Sequence, residues 1–315
     1  MLVPHNWPLT LAMVLLAGVI DVVFGEPPPS AHPVVWMGRL IGALEARRPR
    51  GRPWAELGFG VLIVVALVGA SLAAGLALVL VLSWLPWWLA LPLGAAALKT
   101  TFSLRGLVAA ASDVRRALAS DLGQARASLV ALVSRDRELD PPHIVSATVE
   151  SLAENLVDSV VSPLFYFALF GLPGALVYRS VNTMDAMIGY RGEYEYVGKA
   201  AARCDDVLNW VPARLTGLLL VALASLRGTA KMAWAALLSQ RHFSTSPNKL
   251  WTIAPMAGAL RVRLSRPGSY AVGRAERPLT AGVIAEAAAV VWAGGGIVIA
   301  AAAGFAALVA WGVWG

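Results

Sequence analysis

Glu150, Glu154 and Asp158 are spaced i, i+4, i+8, so on a helix they form one carboxylate stripe. Like charges at that spacing repel, and a divalent cation or a set of Arg and Lys side chains would neutralise them. Magnesium takes one or two carboxylates together with water and substrate phosphates, and this stripe offers them. A solvated helix face is the plainer alternative, but Leu156, Val157 and Val160 begin an apolar run at once, where charge is costly. Two further acid-amide groups follow. Asn182 and Asp185 lie between Arg179 and Arg191; Asp205, Asp206 and Asn209 lie between Arg203 and Arg214, with Lys199 just upstream. Acids with amides hold hydrated metals, and Arg forks hold phosphates bidentately. Internal salt bridges would explain each group alone equally well. Three in one block, Glu150 to Thr216, favour a phosphate-metal site. The metal candidates are Glu150, Glu154, Asp158, Asp205 and Asp206, and the candidate catalytic acids are Glu154 and Asp185. Arg179, Asn182, Arg191, Lys199, Arg203 and Arg214 are the phosphate candidates. Asn248 and Lys249 join them from a later loop, where Lys249 is equally an interfacial anchor. His32, near Asp21 and Glu26, is an acid/base, metal or substrate-binding candidate, or a loop cap.

The elements that position these groups are membrane elements. The chain is 58% hydrophobic and only 14% charged, against about a quarter charged in soluble domains. Leu57 to Leu98 carries no charge, and at roughly 20 residues per span it holds two helices with a turn at Leu85-Pro86-Trp87-Trp88. The expected fold is all-α, a single polytopic domain over residues 1–315 with about four to six membrane segments, an amphipathic helix and polar cytoplasmic loops. The net charge of +7 sits in loops, with nine Lys/Arg and one acid from Arg227 to Arg277. That is positive-inside patterning, without the aromatic-basic alternation of a nucleic-acid platform, so no nucleic acid is expected. Cys204, the one cysteine, excludes an internal disulfide and a multi-cysteine metal site, and no His arrangement activates it as a nucleophile. No Walker-type glycine loop occurs.

Pro8 to Phe24 reads as a short first span, retained rather than cleaved as a signal. Leu104 to Val133 reads as one amphipathic helix of about 30 residues, with an apolar stripe through Leu107, Ala111, Val114, Leu118, Leu122, Ala125, Leu129 and Leu132. Leu156 to Val177 is broken by Pro163, Gly171, Pro173 and Gly174 and is expected to be re-entrant, or to leave the Arg179 to Arg203 motifs at a cytoplasmic mouth. Leu215 to Leu226 is too short to span alone and is expected to extend back through Trp210 or to be a buried intramembrane element. Pro278 to Gly315 is the last span, rich in Ala and Gly for close packing.

Four stretches resemble the CobD/CbiB family of cobalamin biosynthesis: DVVFGEPPPSAHPVVWMG; DLGQARASLVALVSRD; the Glu150 to Thr216 block, with ESLAENLVD, SPLFY, VNTMDAMIGYR and AARCDDVLNWVPARLT; and SPNKLWTIAPMAGAL with RPGSYAVG. The resemblance runs in order over nearly the whole chain. It departs from the family after SPN, where Lys249-Leu250 stands in place of the common Ala-Gly, and in SQRHFSTSPN, where the family often carries an acid. The resemblance implies an adenosylcobinamide-phosphate synthase in the inner (cytoplasmic) membrane, multi-pass, with a cytoplasmic active face. Such an enzyme joins the free propionate carboxylate of (adenosyl)cobyric acid to 1-amino-2-propanol or its O-phosphate, with ATP and Mg²⁺. Its partners would be the corrinoid, the aminopropanol, ATP, the lipid bilayer and other membrane enzymes of the pathway. Two rivals stand beside this. A Mg-dependent prenyl or phospho-alcohol transferase needs paired D-x-x-D motifs, and the clusters here are spaced otherwise. A transporter predicts inverted repeats, and none is visible.

Overall fold

A computed structural model of the chain describes residues 7–130, 132 and 139–314. The chain is an all-α polytopic membrane protein with one small hairpin. In order the elements are α1 (Trp7–Phe24), α2 (Pro33–Glu45), α3 (Pro53–Trp84), α4 (Trp87–Lys99), α5 (Leu104–Leu118), α6 (Leu122–Val130), α7 (Pro141–Leu156), a π-helical turn (Val157–Val161), α8 (Ser162–Ile188), α9 (Lys199–Leu208), α10 (Trp210–Ser225), α11 (Ala230–Gln240), α12 (Leu250–Leu260), the antiparallel strands β1 (Arg263–Arg266) and β2 (Tyr270–Gly273), and α13 (Ala281–Trp314). Three stretches of the described residues are long and apolar enough to cross a membrane: Pro53–Trp84, Pro141–Ile188 and Ala281–Trp311. A fourth is reached when α9 and α10 together make a broken span. The lower end of the expected four to six segments is therefore met only with that pair.

The chain packs as two compact units. The first comprises Met1–Ser103, Ser162–Leu208 and Val298–Gly315; the second comprises Leu104–Val161 and Asn209–Ile297.

In the first unit, α3 buries one stripe, Gly60, Ile63, Val64, Leu67, Ser71 and Gly75, and exposes Val61, Leu62, Val65, Leu72, Leu76 and Leu80. This is the pattern of a helix with one protein-facing and one lipid-facing side. Ile63, Val64 and Leu67 pack with Val181, Met184, Ile188, Val197 and Ala201 of α8, α9 and their connection. The expected break at Leu85-Pro86 is present. However, α4 has 13 residues, which rise only about 20 Å against a hydrocarbon core of about 30 Å. It packs on α1 and does not by itself carry the chain back across.

The broken segment turns back on itself. Gly171 sits at φ 67, ψ −157, a conformation open to glycine. The Tyr166 and Tyr178 rings stack with centroids 5.4 Å apart, whereas twelve residues of straight helix advance about 18 Å. Residues 162–170 and 172–188 are thus two arms of a hairpin that turns at Gly171. Its tip lies against α3 at Gly75, where an added Cβ would come within 2.6 Å of the Pro173 backbone.

In the second unit, α10, α11 and α12 pack through small residues, Ala224, Ala233 and Ala259. The predicted 30-residue amphipathic helix is two helices. The chain stops after Leu118 and restarts at Leu122, where Asp121 accepts a hydrogen bond from the Gly123 amide at 2.7 Å. A local Asp-backbone bond competes with helix continuation in this way. Leu107, Ala111, Val114, Ala125 and Leu129 of the predicted stripe are buried; Val133 lies outside the described residues. The apolar stretch after Arg214 does extend back to Trp210, as α10. The hairpin of β1 and β2, absent from the expected all-α fold, is fastened to α7: Ser146 Oγ accepts from the Ser265 amide at 2.8 Å.

Candidate active site

The carboxylate stripe divides into three environments. Glu150 is 1% exposed; its carboxylate accepts hydrogen bonds from Ser146 Oγ at 2.8 Å and Tyr270 Oη at 2.7 Å. These bonds fasten α7 to the β-hairpin through Glu150, the first of the carboxylates that the spacing offers to a metal. Glu154, one turn on, has a side chain 36% exposed and pairs with Lys249 Nζ at 2.8 Å. Asp158 falls inside the π turn, whose wider winding rotates it off the line that uniform α-helix would give.

Around Glu154 the second unit assembles a connected polar set. Lys249 precedes α12, and its neighbour Asn248, buried in the Ser246-Pro247-Asn248 turn, accepts from Arg214 Nη1 at 3.0 Å. The same nitrogen donates to the Trp210 carbonyl at 2.7 Å. The Arg214 guanidinium lies 3.9 Å from the Trp210 ring centroid and 4.7 Å from that of Trp251, and Arg241 lies 5.3 Å from Trp251. Gly217 permits this arrangement. A Cβ there would come within 2.5 Å of the Trp251 carbonyl, so only glycine lets α12 approach α10 one turn beyond Arg214.

The first unit gathers the remaining central residues. Arg179 Nη1 donates to Asn182 Oδ1 at 3.2 Å, and Asn182 Nδ2 donates to Asp205 Oδ1 at 3.3 Å. This relay joins α8 to α9 where Gly198 brings the backbones together, its Cβ position lying 1.7 Å from the Ile188 carbonyl. Asp206 is half-buried and meets Arg203 at 4.0 Å. Asp185 is half-buried with its carboxylate folded over Gly189, where a Cβ would collide at 2.0 Å. Arg191 and Lys199 are exposed. Among the described residues, no three His, Cys, Asp or Glu side chains converge as a metal-binding group.

His32 takes the cap role. Its Nδ1 accepts from the Val34 amide at 3.2 Å, opening α2, which leaves Nε2 to carry the proton toward Glu26 at 2.9 Å. Both nitrogens are engaged within the loop, the cap alternative of the sequence reading. Beside it, Lys99 bridges Asp21 at 3.1 Å and Glu26 at 2.8 Å. Burial pushes the Glu26 carboxyl up, but hydrogen bonds from His32, Lys99 and Ser103 and the Lys99 charge outweigh it and hold the group at about 2. Sequence reasoning missed Lys99, Tyr270, Arg241 and both ring partners of Arg214. The lone Lys at the end of an uncharged run was the signal for Lys99; Arg241 lay in a segment read only as basic, and no spacing joins Tyr270, Trp210 or Trp251 to its partner.

The chain is similar to a cobalamin biosynthesis protein CobD of Dehalococcoides mccartyi (strain CBDB1), 42% identical over 275 residues, covering 85% of this chain and 88% of that protein. It is also similar to a probable cobalamin biosynthesis protein CobD of Pyrococcus abyssi (strain GE5 / Orsay), 44% identical over 267 residues, covering 82% and 84%. No solved structure matches the chain. The CobD/Cbib protein family matches residues 14–310, a range that takes in the Glu154–Lys249 set, the Arg179–Asn182–Asp205 relay and the hairpin that turns at Gly171, and the chain therefore belongs to the CobD/CbiB family.

Proposed function

We propose that the protein acts in cobalamin biosynthesis as an adenosylcobinamide-phosphate synthase, forming an amide between (adenosyl)cobyric acid and 1-amino-2-propanol or its O-phosphate at the expense of ATP. The observation that carries this reading is the Glu154, Lys249, Asn248 and Arg214 set, an acid among cations and an amide, in a chain of this family. The substrates are a carboxylate, a polyphosphate and an amine, so the chemistry needs fixed cations and one proton acceptor.

In this scheme a propionate carboxylate oxygen takes the γ-phosphoryl group of ATP as ADP leaves, and the amine nitrogen then attacks the acyl carbon. The C–N bond forms as the C–O bond to phosphate breaks. The ammonium must lose a proton before attack; Glu154, partly exposed, is our acceptor, with Asp185 the alternative. Lys249 and Arg214 hold anionic oxygens. Magnesium would supply charge neutralisation on phosphate oxygens; Asp205 and Asp206, of the first unit, are the carboxylates we propose would hold it, since that ion takes one or two and completes its shell with phosphate and water. We place the active face on the cytoplasmic side of the cell membrane, where ATP is and where the basic Arg227 to Arg277 segment belongs by the positive-inside rule.

The test is to incubate purified protein with adenosylcobyric acid, aminopropanol phosphate and Mg-ATP, and to follow the corrinoid by mass. The expected result is the amide product, dependent on ATP. A folded sample that yields neither product nor ATP turnover overturns the reading.

A further inference from the structure

Arg241 lies in SQRHFSTSPN, where the chain departs from the family pattern, and it shares a ring with Arg214. Both guanidiniums lie on Trp251, at 5.3 and 4.7 Å from its centroid. Among the described residues neither is paired with a carboxylate. Arg214 spends one terminal nitrogen on the Trp210 carbonyl and Asn248. Arg241 uses only Nε, which donates to His242 Nε2 at 3.0 Å, so its two terminal NH₂ groups have no partner among the described residues.

Two like charges on one ring repel, and stacking at a partly exposed site returns only about 0.5–1 kcal/mol each. A dianionic group with several acceptor oxygens removes the repulsion and takes up both forks. Phosphoryl oxygens match guanidinium forks bidentately. The held side chains around Arg214 also leave little ordering to be done on binding. Arg241 stands at the C-terminal end of α11, where the helix dipole favours a cation and keeps it oriented.

We propose that Arg214 and Arg241, gathered on Trp251, bind the phosphoryl group of an anionic substrate, with Arg241 an anchoring residue of that site. The assignment deepens the proposed function and rests on its placing of anionic substrates at Arg214. Three sources carry this chemistry: a nucleotide's polyphosphate, a phosphate monoester of the amino alcohol, and free phosphate. The clamp's two forks favour an anion that offers oxygens to both.

The experiment is direct binding to full-length detergent-purified protein by calorimetric titration, with pyrophosphate, 1-amino-2-propanol O-phosphate and inorganic phosphate as separate probes. The probe bound tightest names the source. Arg241→Gln should weaken that probe by about tenfold or more, as expected for a lost charge-assisted hydrogen bond. Arg241→Lys, which keeps the charge and loses the fork, should recover only part. Arg263→Gln, an exposed cation on β1, should bind as wild type. Unchanged affinity in Arg241→Gln overturns the proposal, and so does equal weakening in Arg263→Gln, which would mean general charge attraction. Should Arg241→Gln not fold, the Lys variant decides: wild-type affinity overturns the fork, and several-fold weakening supports it. None of these readouts needs amide synthesis. Arg241-dependent binding without product would therefore fail the synthase reading alone, and product with Arg241-independent binding would fail the clamp alone.

Discussion

At the end of α1, one ammonium serves two carboxylates; around Trp251, three cations answer to one. Lys99 is 2% exposed and Asp21 is 0% exposed, and Glu26 and His32 close the knot from the Pro-rich loop. Lys99 and Asp21 pair in a buried position and Glu26 joins them from a side chain 37% exposed, and the knot's work is to tie α1, α4 and the start of α2. The Trp251 set contains Arg214, Arg241 and Lys249 against Glu154, all part-exposed. Charge in a membrane protein is costly in both places. A balanced knot around a buried ammonium marks the charge that holds the fold, while a part-exposed surplus of one sign marks the charge that awaits a ligand.

The sharpest way to break this contrast is to remove one lysine from each region. Lys99→Met leaves two carboxylates without their buried cation and should cost about 3–5 kcal/mol, the range for breaking a buried pair. Unfolding in detergent would show it. Lys249→Met removes a part-exposed pair worth about 0–1 kcal/mol, so its melting should stay near wild type while amide formation collapses. Equal destabilisation by both would erase the distinction.

Next in size, Glu154→Gln and Asp205→Asn should each lower amide formation by about 100-fold or more, the scale of acid–base or charge-neutralising groups, with membrane insertion intact. Full activity in both would remove the acid assignments. Tyr270→Phe then probes an acid whose role is structural. Losing the hydroxyl that donates to buried Glu150 should cost about 1–3 kcal/mol of stability and leave the synthesis rate of the folded fraction unchanged.

The smallest effect is one of pH. Glu26 is held at about 2 in the folded chain, below its ordinary 4.5, so the folded state favours its charged form. Its contribution is fully present above about pH 4.5 and is lost as pH falls toward 2. Glu26→Gln should therefore reduce stability near neutrality and flatten the decline across that acid window. An unchanged slope would mean that the knot does not act through this carboxyl.

The sequence exposed the polar block, the uncharged run with its Pro86 break, and the return of the chain near Gly171, because each is a local contrast between apolar and polar or helix-breaking residues. It did not expose partnerships across long separations. Lys99 is 73 residues from Glu26, and Glu150 is 120 from Tyr270, and no periodicity connects such pairs. The i, i+4, i+8 stripe meets three surroundings for physical reasons. Even spacing assumes uniform helix, which the π turn at Asp158 interrupts, and spacing on one helix says nothing of the β-hairpin that covers Glu150. Arg241 was read as one more basic loop residue under positive-inside patterning, which counts charges without saying which of them share a ring.

The most direct measurement is ATP-dependent conversion of adenosylcobyric acid and aminopropanol phosphate, followed by mass, in wild type beside Lys249→Met at matched folded fraction. The account predicts the amide product from wild type and about 100-fold less from the variant, the size expected of a fixed charge acting on the transition state. No product from folded wild type, or equal rates from both proteins, would contradict it.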